Sequence, residues 1–117
     1  FDLVHRRLIH MIPDGGEVLG EDILSGRPAG GEGRARFHLH PTVQASVLGD
    51  GVTVILKPPR GRAWHFKVQG ARVALRESVY AANPGNIRRT QQIVAAWPLG
   101  EEETTIKWRL RRHDRDV

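Results

Sequence analysis

Two imidazoles stand two residues apart in Arg36-Phe37-His38-Leu39-His40-Pro41, inside an otherwise apolar, strand-like run. In an extended chain, positions i and i+2 share a face, so His38 and His40 point one way while Phe37 and Leu39 point the other. Such a pair suits metal ligation or proton transfer. A catalytic zinc usually takes three protein ligands, and no Cys, His or carboxylate cluster adjoins the pair in sequence, so it supplies only part of a site. The chain contains no cysteine, which excludes thiolate chemistry and a disulfide-stapled scaffold.

Arginine is the other chemistry-bearing type. The net charge of +5 comes from 18 basic residues, of which only Lys57, Lys67 and Lys107 are lysines. Guanidinium is a planar fork that matches carboxylate, sulfate and phosphate, so this balance admits a polyanionic partner. For any single arginine a solvated strand face is the simpler reading. His5, His10, His65 and His113 are scattered and read singly as surface histidines. Glu21 and Asp22 could complete a site, but they are better read as answering nearby arginines. There is no Gly-x-Ser-x-Gly elbow, no His-Glu-x-x-His helix and no phosphate-binding Gly-x-x-x-x-Gly-Lys-Ser/Thr loop, so the commonest catalytic signatures are missing. The Gly-rich stretch 26–33 is not flanked by the strand and helix that a dinucleotide fingerprint requires.

These residues must be positioned by strands. A length of 117 residues suits one domain, 1–117, large enough for a core of its own. Residues 3–12 and 17–25 flank Pro13-Asp14-Gly15-Gly16 and read as a hairpin. Residues 34–40 form the next strand, ended by Pro41, which cannot donate to a ladder. Residues 43–47 and 52–57 flank Gly49-Asp50-Gly51 as a second hairpin. Further strands follow over 64–69, 73–80, 88–97 and 104–112, the last with Ile106, Trp108 and Leu110 on one face and Lys107, Arg109 and Arg111 on the other. Residues 113–117 read as a polar tail. The pattern predicts an all-β fold, an antiparallel β-sandwich or barrel of about nine strands with no major helix. Its expected core runs from Phe37, Leu39, Val43 and Val47 through Val54, Leu56, Trp64, Phe66, Val68, Val73 and Leu75 to Ile93, Trp97, Ile106, Trp108 and Leu110. With the tryptophans inside, no aromatic platform remains for single-stranded nucleic acid, so no nucleic-acid partner is expected. No apolar stretch approaches the ~20 residues of a membrane-spanning helix, so membrane insertion is not expected.

Leu3-Val4-His5-Arg6-Arg7-Leu8, Gly20-Glu21-Asp22, Arg36-Phe37-His38-Leu39-His40-Pro41, Glu77-Ser78-Val79-Tyr80 and Arg88-Arg89-Thr90-Gln91-Gln92-Ile93-Val94, ending in Ile106-Lys107-Trp108-Arg109-Leu110, follow one another in this chain. Together they resemble the C-terminal part of bacterial heparinase II/III-like proteins. The resemblance implies a supersandwich-like β-domain, the C-terminal fragment of a larger polysaccharide lyase whose N-terminal helical toroid precedes it. The start on Phe1, already close to a strand, fits a piece of a longer protein.

The implied chemistry is β-elimination on a uronate-containing acidic polysaccharide such as a glycosaminoglycan. A base removes the proton α to the carboxylate, an acid protonates the leaving oxygen, and a donor stabilises the enolate-like charge. In the family, Tyr and His residues do this from the toroid or the start of the sandwich, so the fragment alone is expected to be inactive and no catalytic residue is assigned to it. Nothing gives Tyr80 that role. The toroid of the same protein and an acidic polysaccharide are the expected partners, with Arg6, Arg7, Arg34, Arg36, Arg88 and Arg89 as the expected substrate contacts. Some members hold a structural zinc with histidines and an aspartate. His38 and His40 would then contribute, and ligands outside the fragment would complete the site. The resemblance also implies a periplasmic or secreted protein. A non-catalytic carbohydrate-binding module and a purely structural support are the alternatives.

Overall fold

Short runs of alternating apolar and polar residues become nine antiparallel strands, and the described residues contain no helix. The computed structural model describes residues 3–26, 31–83, 85–98 and 103–113. The strands are β1 (Leu3–Met11), β2 (Glu17–Gly26), β3 (Glu32–His38), β4 (Gln44–Val47), β5 (Thr53–Lys57), β6 (Trp64–Gln69), β7 (Arg72–Asn83), β8 (Asn86–Pro98) and β9 (Thr104–Arg112). They form a six-stranded sheet in the order β1-β2-β9-β6-β5-β4 and a three-stranded sheet in the order β3-β8-β7. This is the expected antiparallel sandwich.

The turns follow from glycine where the chain needs a left-handed residue. Gly51 takes φ +73° in the β4–β5 turn and Gly85 takes φ +85° between β7 and β8, conformations that carry a steric penalty for any side chain. Asp50 tightens the first of these turns. Its carboxylate accepts hydrogen bonds from the backbone N–H groups of Val52 and Thr53, both at 3.0 Å, and from the Thr53 hydroxyl at 2.6 Å. Those bonds, with Lys67 nearby, hold the Asp50 carboxyl below its ordinary range because they favour the charged form.

The core lies where the smaller sheet covers the larger. Trp97, Ile93, Ile106 and Val54 are fully buried, and the Phe37 ring from β3 meets Phe66 at 4.9 Å and Trp108 at 5.3 Å across the interface. Each of two tryptophans faces a glycine on the neighbouring strand: Trp108 opposite Gly20 and Trp97 opposite Gly33. The glycines let the indoles lie flat against the sheet, since a Cβ there would fall 2.1 Å and 2.6 Å from the rings. A glycine inside a strand weakens it unless something packs into the space it leaves.

Some boundaries and one core residue differ from the sequence reading. β3 ends at His38 and not at His40, because the chain turns at once: the Val43 N–H bonds the His40 carbonyl at 3.0 Å. β7 and β8 extend to Asn83 and from Asn86, beyond the expected 80 and 88. Val47 keeps 37% of its surface exposed, since among the described strands β4 lies at the sheet edge and pairs only with β5. Residues 27–30 of the Gly-rich connection and 114–117 of the polar tail lie outside the described residues.

Candidate functional site

The strongest polar cluster is built by β1, β2 and β9. Cross-strand pairing sets Arg7 opposite Asp22 and Asp22 opposite Ile106, so Arg7 and Asp22 share the inner face of the larger sheet. Asp22 is fully buried. Its Oδ1 accepts from Arg7 Nε and from His5 Nε2, each at 2.7 Å, and its Oδ2 accepts from Trp108 Nε1 at 2.9 Å. A carboxylate only accepts, which assigns the His5 proton to Nε2. Arg7 also places its guanidinium carbon 4.6 Å from the centre of the Phe37 ring, a cation–π contact that ties the edge strand to the opposite sheet.

This arrangement is a clamp more than a reaction centre. Both Asp22 oxygens are engaged and sealed from solvent, and the Arg7 guanidinium supplies the positive charge a buried carboxylate requires. The clamp fastens β1, whose only strand partner among the described residues is β2. Apart from it, β1 is open. Val4, Leu8, Ile9 and Met11 are 53–67% exposed, with Val4 and Leu8 on one face and Ile9 and Met11 on the other.

A second feature lies on the outer face of the same sheet. Register places Lys67 directly opposite Arg109, and His65 opposite Arg111. A hollow of about 440 Å³ is lined by His65, Lys67, Arg109, Arg111, Arg112 and His113, with Leu48 and Thr53. It adjoins a hollow of about 520 Å³ that shares Lys67 and Arg109 and adds Lys107, Gln69, Leu19, Val68 and Trp108. The His65 and His113 rings stack at 4.9 Å. Among the described residues, Glu17 Oε2 lies 3.8 Å from Arg109 Nε, too long for a hydrogen bond, and the Asp50 carboxylate, bonded to Thr53, lies near Lys67.

The arginines expected to contact substrate do not form one surface. Arg6 lies on the outer face of β1, the face that also carries Lys107, Arg109 and Arg111. Arg7 turns inward to Asp22. Arg34 and Arg36 are exposed on the outer face of the smaller sheet, Arg34 paired with Glu32 at 2.8 Å and Arg36 reaching Gln92 at 3.4 Å. Arg89 is exposed on β8, opposite Val79, whose own side chain is 63% exposed. The side chains of Arg88 and Tyr80 lie outside the described residues.

His38 and His40 are both exposed. His38 Nδ1 lies 2.9 Å from Ser78 Oγ, and His40 Nδ1 lies 2.8 Å from Thr42 Oγ1. No group of three His, Cys, Asp or Glu side chains suited to a metal occurs among the described residues. The pair alone therefore does not make a zinc site, and any such site needs donors from elsewhere. Sequence reasoning matched Asp22 to a nearby arginine but missed Trp108, which lies 86 residues away. Gly20 in mid-strand was the available signal, because a strand glycine often marks a close approach.

The family model for the heparinase II/III-like C-terminal domain matches residues 1–109. The chain belongs to that family. Among curated proteins it is 30% identical over 121 residues to FtsZ-localized protein C of Caulobacter vibrioides, an alignment covering 94% of this chain and 21% of that protein. The chain thus spans about a fifth of the length of the relative it matches. No solved structure matches it. In this heparinase II/III-like domain, the buried clamp and the open β1 edge lie side by side on the larger sheet.

Proposed function

We propose that this is the non-catalytic β-sandwich of a polysaccharide lyase that acts by β-elimination on uronate-containing acidic polysaccharide in the periplasm or outside the cell. Its task is to brace the catalytic helical domain. The observation that carries this reading is β1. A nine-residue edge strand with unpaired backbone groups and apolar side chains on both faces is a liability when left bare. Here it is held rigidly by the Asp22 clamp, as a docking strand needs to be. The occupant is the preceding part of the same protein, in line with the small fraction of its relative that the chain spans.

Sealing of the one buried carboxylate cluster among the described residues supports a role without chemistry of its own. The cationic outer faces support contact with an acidic polymer as a secondary role. The docking reading is tested in the longer protein with Leu8→Asp/Ile9→Asp. Proteolysis between the two domains should accelerate while the fold of the sandwich persists. Unchanged protection of the junction would refute β1 as the contact.

A further inference from the structure

We infer that the basic hollow at the end of β6 and β9 is a binding site for a linear acidic polysaccharide, distinct from the docking edge. Six basic side chains, His65, Lys67, Arg109, Arg111, Arg112 and His113, line it, and no carboxylate does. Like charges directly opposite one another on neighbouring strands destabilise a sheet. Lys67 against Arg109 is such a pair, with His65 against Arg111 beside it. Glu17, 3.8 Å from Arg109 Nε, and the Asp50 carboxylate near Lys67 offset only part of this repulsion. An anionic ligand in the hollow would offset more of it.

The shape selects among anionic ligands. The two hollows share Lys67 and Arg109 in their walls, so the cations line two adjoining depressions. A chain carrying a carboxylate or sulfate on successive sugars can lay its anions along such depressions, where guanidinium forks bind them in bidentate fashion. Single-stranded nucleic acid would need exposed aromatic rings for its bases, whereas Trp97 and Trp108 are buried. An anionic bilayer favours a protruding apolar face ringed with cations, and here the cations sit in a concavity with Leu48 and Leu19 at its sides. The identity of the polymer rests on the proposed lyase reading; the anion site rests on the geometry.

The test titrates the chain with a heparin oligosaccharide, an unsulfated polyuronate, duplex DNA and phosphatidylglycerol vesicles, at low and moderate salt. Two variants with equal loss of charge are compared, Lys67→Gln/Arg109→Gln in the hollow and Arg60→Gln/Arg76→Gln outside it, with thermal midpoints confirming that both fold. Saturable polysaccharide binding that weakens roughly tenfold or more in the first variant, and about twofold or less in the second, is expected for a localised charged site. Equal loss in both variants, no loss in either, tighter binding to DNA or vesicles, or no polysaccharide binding would overturn the inference. If the longer protein proves not to be a lyase while the hollow still binds heparin, the functional reading falls and the site stands. If it is a lyase and the first variant binds as the unmodified chain does, the site falls alone.

Discussion

Trp108 lies flat over Gly20, its cross-strand partner, so closely that a Cβ on Gly20 would sit 2.1 Å from the indole. The same indole donates to the buried Asp22 at 2.9 Å. Gly20 and Asp22 are thus two requirements of one side chain. The first lets the ring lie flat and the second fixes its Nε1.

Gly20→Ala and Gly33→Ala should each destabilise the domain by about 1–3 kcal/mol or more, the cost of overpacking a filled core. Gly49→Ala is the control, since nothing lies within 4 Å of its Cβ position, and it should change stability by less than about 0.5 kcal/mol. Urea unfolding measures all three. A neutral Gly20→Ala would show that the indole moves freely.

Arg7→Ala leaves a buried carboxylate short of its charged partner. Removing one member of a buried pair costs about 3–5 kcal/mol, and we expect about 2 because Arg7 remains one-third exposed. In a double-mutant cycle, Arg7→Gln and Asp22→Asn should show a coupling of about 1 kcal/mol or more. Additive losses would mean that the two side chains do not support each other.

Much of this fold is legible along the chain, because a half-buried strand writes its two faces as alternation. The last strand is read to the residue, Thr104–Arg112, and the first hairpin pairs as its turn residues imply. The order of strands is not legible. β9 inserts between β2 and β6, a long-range pairing that no local pattern encodes, and this insertion creates both the Asp22 clamp and the basic hollow. The expected arginine surface fails to assemble for a different reason. Arg6 and Arg7 are adjacent and so point to opposite faces of the sheet, and Arg34 and Arg36 belong to the other sheet. The histidine pair reads as two ligands on one strand, but the strand stops between them.

Acid should loosen the β4–β5 turn. The Asp50 carboxyl is held below its ordinary value by the Thr53 hydroxyl first and by backbone N–H groups. A depressed folded-state pKa contributes stability that is present above the unfolded value and lost as pH falls through the folded one. Asp50→Asn should therefore flatten the decline in stability below the ordinary carboxylate range. Denaturation curves from neutral pH to below that range measure it, and an unchanged decline would contradict the turn's role.

A bare β1 edge should make the isolated chain self-associate. Ile9→Lys places a charge on an edge strand, a device that blocks strand pairing. Because Ile9 is 60% exposed, the substitution should reduce association in sedimentation while shifting stability by less than about 0.5 kcal/mol. Undiminished association would mean that another surface is responsible.

The central claim is that the domain braces a lyase without performing the chemistry, and the most direct measurement is the formation of unsaturated uronate ends, followed by their ultraviolet absorbance. The longer protein and the 117-residue chain would be assayed in parallel on sulfated and unsulfated uronate polymers. A bracing role requires that the longer protein generates these ends and the isolated chain does not. Ends generated by the isolated chain, or none from the longer protein on any polymer, would contradict it.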